Sequence, residues 1–169
     1  KNTGKKIISP ESTQPIISRS QFIAQSTVAL GVVQLGIMSY GIISGAYDYR
    51  IRRVNLPLKG LPKQFEGLTI GQLSDIHSGS FYNKTAVSGG VDMLMKEKPD
   101  IVFFTGDLVN DKSDELNAYF DIFKRVKAPL GVFSTLGNHD YGDYIQWPTA
   151  KAKHQNLLDL LEGQRLMGW

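Results

Sequence analysis

The chain has 169 residues, a formal net charge of +3 and no cysteine. That length suffices for one domain with a real core, and the missing cysteine excludes a disulfide framework and any thiolate metal site. The charge is uneven: residues 1–67 hold nine Lys and Arg against three Asp and Glu, and residues 68–169 hold ten against thirteen. The basic balance therefore belongs to the N-terminal third. It argues against a nucleic-acid-binding catalytic region and fits a membrane surface better.

Residues 1–19 are polar, with Pro10 and Pro15, and read as an extended linker. Ser20 to Tyr47 contains no charged residue. About twenty apolar residues in a helix cross a bilayer core, so this stretch is expected to be a membrane-associated helix. Ser18-Arg19-Ser20-Gln21-Phe22-Ile23 also resembles a twin-arginine export signal, but Ser20 stands where the second arginine belongs. Four Lys and Arg precede the apolar stretch and five follow it closely, so charge sets no orientation. Residues 48–169 form the next unit. It opens with a short edge strand over Arg50–Pro57 and a turn-rich approach from Leu58 to Gly67.

From Leu68 a regular alternation begins. A strand is expected over Leu68–Ser74, then a helix over Thr85–Lys96 with Val87, Val91, Leu94 and Met95 on one face. A strand over Ile101–Thr105 leads to a helix over Asp114–Val126, capped by Ser113, with Leu116, Tyr119, Phe120, Phe123 and Val126 buried. Pro129 ends it. A strand over Gly131–Leu136 and a last helix over Pro148–Glu162 follow, with Pro148 in the first turn and Leu157, Leu158 and Leu161 on the apolar side. The order β-α-β-α-β-α is that of an α/β domain with a mainly parallel sheet, and such sheets bind ligands beyond the carboxyl ends of their strands.

Three acidic motifs fall at those ends: Asp75-x-His77, Gly106-Asp107 and Gly137-Asn138-His139-Asp140. Carboxylates, imidazoles and an amide oxygen suit Mn, Fe or Zn, and a carboxylate that bridges allows two ions. Two ions can activate water and clamp the attacking and leaving oxygens of a phosphoryl transfer. Each motif alone is an ordinary polar strand end; the three in this order, each after a strand, are not. His154 stands among Lys151, Lys153, Gln155 and Asn156 and reads as a solvent-facing helix residue. Tyr141, Tyr144 and Trp147 are expected to pack on the sheet rim rather than line a substrate mouth. Lys124, Arg125 and Lys127 are expected to answer the dipole of their own helix.

The three motifs resemble the first three signature blocks of the calcineurin-like metallophosphoesterases. Leu61-Pro62, Phe65-Glu66-Gly67-Leu68 and Gln72-Leu73-Ser74-Asp75-Ile76-His77 are similar to the bacterial membrane-associated branch, which includes UDP-diacylglucosamine pyrophosphatases of lipid A synthesis. The resemblance implies that two divalent ions are bound. Asp75 and His77 would hold the first, Asp107 would bridge both, and Asn138 would bind the second. His139 would be the catalytic imidazole, oriented by Asp140, and a hydroxide between the ions would attack phosphorus in line. The family also needs later histidines that this chain lacks, so the chain is expected to be an N-terminal part of one half of a four-layer αββα sandwich, inactive alone. The expected substrate is a phosphorylated small molecule or a lipid head group at a bacterial inner membrane. A nucleotide or nucleic-acid phosphodiesterase and a non-catalytic membrane-bound relative are the alternatives.

Overall fold

The computed structural model describes residues 17–169. Of the extended linker expected over residues 1–19, residues 1–16 lie outside the described ones. The chain divides into two compact units between Asp48 and Tyr49.

The first unit is built on helix α1, Arg19–Ile43. Ser18 starts it with a capping box. The Ser18 hydroxyl accepts from the Gln21 amide, and the Ser18 amide donates to Gln21 Oε1. The stretch that resembles an export signal thus has a local structural use. At 1.5 Å per residue α1 is about 37 Å long, more than a bilayer core requires. Among the described residues it is one helix long and apolar enough to cross a membrane, and its apolar side chains are exposed. A short 3₁₀ turn, Gly45–Tyr47, follows it.

The second unit holds a three-stranded parallel sheet in the order β1 (Ile70–Leu73), β2 (Ile101–Phe104), β3 (Val132–Ser134). Gly71, Val102 and Val132 share one register position, as do Gln72, Phe103 and Phe133. Because side chains alternate along a strand, Val102, Phe104 and Val132 fall on the buried face with Leu94, Leu108, Val126 and Leu160. Gly71 belongs there by necessity, since a Cβ would lie 3.1 Å from Leu94 and 3.2 Å from Pro99 and Val102. Ile70, Phe103 and Phe133 occupy the other face and are exposed.

Helix α2, Lys84–Lys96, is capped by Asn83 and buries Val87, Val91 and Leu94. Its double glycine has a packing reason at Gly90, where a Cβ would meet the Tyr49 ring at 3.0 Å. The expected helix over Asp114–Val126 is broken into a 3₁₀ turn, Ser113–Leu116, and a single α-turn, α3, Phe120–Phe123. Leu116, Tyr119, Phe123 and Val126 are buried as expected. Tyr119, at φ −120° and ψ −1°, leaves the helical region between the two pieces. Ser113 caps nothing with its side chain; its amide donates to Asn156 instead.

Helix α4 runs Ala150–Met167 and is capped by Thr149, so Pro148 lies outside it. Its inward stripe is Asn156, Leu160, Gln164 and Met167, whereas Leu158 and Leu161 are exposed. The expected apolar side was misplaced because two buried positions are polar. Asn156 accepts from Ser113 N and donates to Asp111 O, and Gln164 accepts from the Ser134 hydroxyl. The edge strand expected over Arg50–Pro57 is absent, and that segment is irregular. Two of the three basic residues after α3 serve other elements: Arg125 bonds Ser88 and pairs with Asp92 on α2, and Lys127 donates to Met167 O at the end of α4, while Lys124 lies over the Phe120 ring of α3 itself.

Candidate metal centre

The site grows out of the β1–β2 and β2–β3 pairing, which continues as backbone hydrogen bonds after the strands end. Thr105 N donates to Leu73 O, Asp75 N to Gly106 O, His77 N to Asp107 O and Ser78 N to Leu108 O, all at about 3.0 Å. Thr135 N donates to Phe104 O on the other side. To stay in this ladder while turning, the chain takes up left-handed backbone at Asp75 (φ 53°), His77 (φ 49°) and Asp107 (φ 61°). Non-glycine residues avoid this region, and such strain gathers at functional sites. Lys98 is the other described non-glycine residue with positive φ.

These three residues form one cluster. One ligand atom from each of Asp75, His77 and Asp107 lies within 4.8 Å of the other two. His77 Nε2 is 3.9 Å from Asp107 Oδ2, while Asp107 Oδ1 accepts from the His139 amide at 2.9 Å. One oxygen of Asp107 is therefore fixed by the third loop and the other faces the first. Two glycines allow the loops to approach: a Cβ on Gly106 would lie 2.6 Å from Gly137 Cα, and a Cβ on Gly137 would run into the Asp107 carboxylate.

His139 and Asn138 arrive on the loop after β3. The imidazole of His139 meets that of His77 edge-on, with centroids 4.7 Å apart. His139 Nδ1 lies 2.7 Å from Asn110 O. A carbonyl only accepts, so Nδ1 carries the hydrogen and Nε2 is the working nitrogen. The Asn138 amide nitrogen donates to the Tyr144 hydroxyl at 2.6 Å, which leaves Oδ1 as its ligand atom. Tyr144 also stacks on His139, centroids 4.5 Å apart. It does not belong to the sheet rim.

Asp140 corrects the expectation that it orients His139; the Asn110 carbonyl holds that position. Asp140 is 0% exposed. Its carboxylate accepts four backbone amides: Leu108 at 2.8 Å and Val109 at 3.3 Å on one oxygen, Asp107 and Gly137 at 2.9 Å on the other. It is the clasp that joins the second and third loops. A second clasp was missed in the sequence. Glu115 accepts from the amides of Asn110, Asp111 and Lys112, and Gly79 leaves room for it. An acidic residue three to five positions after a run of loop amides was its only visible signal. His154 is exposed on α4 and is not one of the three clustered residues.

The donor set fits a divalent cation. Two carboxylates and an imidazole converge, and among the described residues no Lys or Arg forms an ion pair with Asp75 or Asp107. Mixed oxygen and imidazole donors suit a first-row divalent ion.

Fold and site together define an α/β domain with a metal-type centre beyond the carboxyl ends of its strands. The calcineurin-like phosphoesterase family matches residues 68–166, and the chain belongs to that family of hydrolases. A zebrafish (Danio rerio) transmembrane protein with metallophosphoesterase domain is 28% identical over 138 residues, covering 82% of this chain and 31% of the relative. The uncharacterized metallophosphoesterase YkuE of Bacillus subtilis is 30% identical over 86 residues, 50% of this chain and 30% of the relative. The UDP-2,3-diacylglucosamine pyrophosphatase LpxG of Chlamydia muridarum is 38% identical over 94 residues, 50% of this chain and 27% of the relative. The chain thus spans about a third of the length of these relatives. No solved structure matches.

Proposed function

We propose that residues 48–169 carry part of the catalytic centre of a metal-dependent phosphohydrolase. The Asp75–His77–Asp107 cluster, built from three left-handed residues at one sheet edge, carries this reading. Asp75 and His77 would hold one ion, Asp107 both, and Asn138 a second, each ion Mn, Fe or Zn. Bound ions would supply Lewis acidity to a phosphoryl oxygen and lower the pKa of water. His139, tethered at Nδ1, would hold or deliver a proton at Nε2 toward a phosphoryl or leaving oxygen. Asp140 would keep the loops in register and touch no substrate.

The reading extends to a membrane. Residues 20–47 would anchor the protein through α1, and a bacterial inner membrane is the location we favour. Support comes from the length and apolar surface of α1 and from the zebrafish relative, which is named a transmembrane protein. The substrate would be a phosphoester or pyrophosphate close to the lipid surface, such as a lipid head group. Its acidic balance speaks against nucleic acid as the substrate of residues 68–169.

The test uses the protein in its full natural length. With Mn(II) it should hydrolyse bis(p-nitrophenyl) phosphate, and Asp107→Ala, which removes the shared ligand, should abolish the activity. Near-normal turnover in Asp107→Ala would end the two-ion reading. Faster hydrolysis of a soluble nucleoside pyrophosphate than of a lipid-linked one in mixed micelles would end the lipid part alone.

A further inference from the structure

We infer that Tyr144 is a positioning residue that sets both Asn138 and His139, one with its hydroxyl and one with its ring. The inference rests on the metal-centre reading above. Tyr144 is 62% exposed, so hydrophobic burial does not explain where it sits. It touches two residues of the centre, through the 2.6 Å bond from Asn138 Nδ2 and the stack on His139.

The loop is shaped to bring it there. His139–Tyr141 form a 3₁₀ turn, and Gly142 then reverses the chain at φ 63°. A side chain at Gly142 would meet Trp147 Cζ2 at 2.9 Å and Asp111 O at 3.0 Å. Trp147 Nε1 donates to Gly142 O at 2.7 Å, and Asp143 pairs with Lys153 of α4. Tyr144 is thereby returned over the two residues that opened the loop.

Each contact has a chemical consequence. An amide binds a cation through its oxygen, because the nitrogen lone pair is delocalised. With the amide nitrogen turned to the Tyr144 hydroxyl, Oδ1 is the atom left to meet an ion. The His139 ring is tethered at Nδ1 by Asn110 and would still swing about that bond. The Tyr144 face on one side and the His77 edge limit the swing and fix where Nε2 lies. Having accepted from Asn138, the hydroxyl keeps its own hydrogen to donate at the mouth of the site.

Tyr144→Phe and Tyr144→Leu separate the two effects. Metal binding is read by calorimetric titration of Mn(II) into metal-free full-length protein. The ring contact is read from the histidine ε1 proton and carbon resonances of the same metal-free protein, with exposed His154 as internal control. Phe should weaken the weaker class of Mn(II) site about tenfold, as loss of an outer-shell partner does, and leave the His139 resonance in place. Leu should weaken binding equally and move His139 downfield as ring-current shielding is lost. An exposed position should leave the thermal melt of both variants unchanged; if Leu alone melts early, Phe decides. Wild-type binding in both variants with an unmoved His139 resonance would overturn the inference and leave the metal centre standing. Failure of the wild type to bind Mn(II) would overturn both.

Discussion

Asp140→Asn puts the clasp to its hardest test, because the substitution keeps shape and removes only an oxygen. Each carboxylate oxygen accepts two amides, Leu108 with Val109 and Asp107 with Gly137. Whichever way the new amide turns, its NH₂ replaces one oxygen and faces two N–H donors. Hydrogen bonds to a charged acceptor are worth about 1.5–3 kcal/mol each, so losing two costs about 3 kcal/mol or more. Asp140→Ala loses all four, but its small cavity can admit a water; about 4 kcal/mol is expected. Against a typical total of about 5–15 kcal/mol, either loss is severe. The assay is urea unfolding followed by far-ultraviolet circular dichroism, with midpoints and slopes compared among wild type, Asn and Ala. A loss below about 1 kcal/mol in Asp140→Asn, accompanied by a slow enzyme, would refute the reasoning. That result would return Asp140 to orienting His139.

Other expectations follow from the same geometry. His139→Ala should keep metal content and slow turnover by about 10²–10⁴-fold, the usual worth of a general acid or base; loss of metal would show that His139 is a ligand. Gly137→Ala should drive its Cβ into the Asp107 carboxylate, lowering stability by about 1–3 kcal/mol and weakening Mn(II) binding; an unchanged titration would mean that the loops can part. Hydrogen bonds from Arg53 hold the Glu97 carboxyl below the ordinary carboxylate range. The pair's small contribution is therefore present above a pH of about 4.3 and fades as pH falls through the lower folded-state value. Wild type and Glu97→Gln should differ slightly at neutral pH and converge in acid; a gap that persists at pH 2 would refute this.

The three strands of the sheet and α2 were legible because apolar runs ended in turn residues and because Val87, Val91 and Leu94 keep a helical period, whereas the strand expected over Arg50–Pro57 did not form. The same reasoning overextended α3, whose buried residues are spaced as on a helix although Tyr119 breaks the backbone between them. It misassigned the inward face of α4 for a different cause: Asn156 and Gln164 are buried to bond loops and a strand, and a polar residue buried for its partners looks like a surface residue in sequence. That Asp75, His77 and Asp107 meet at one sheet edge was legible from residue type and place, and the roles proposed for Asn138 and His139 rest on the same kind of reading. The clasps were not. What Asp140 and Glu115 do depends on backbone amides from other loops, and a sequence names side chains without saying where amides gather. Tyr144 was misjudged for the same reason, since its partners lie across a reversed loop.

The left-handed backbone at Asp75, His77 and Asp107 sets the interests of folding against those of the site. Each would sit more comfortably as glycine, by about 1 kcal/mol or somewhat more of steric relief, less the entropy a glycine adds to the unfolded chain. Glycine at position 75 would also remove a carboxylate held close to Asp107. A search for thermal robustness alone would therefore favour erasing the donors, and hardening this domain without disarming it requires gains made elsewhere. The surface of α4 is where such gains can be sought.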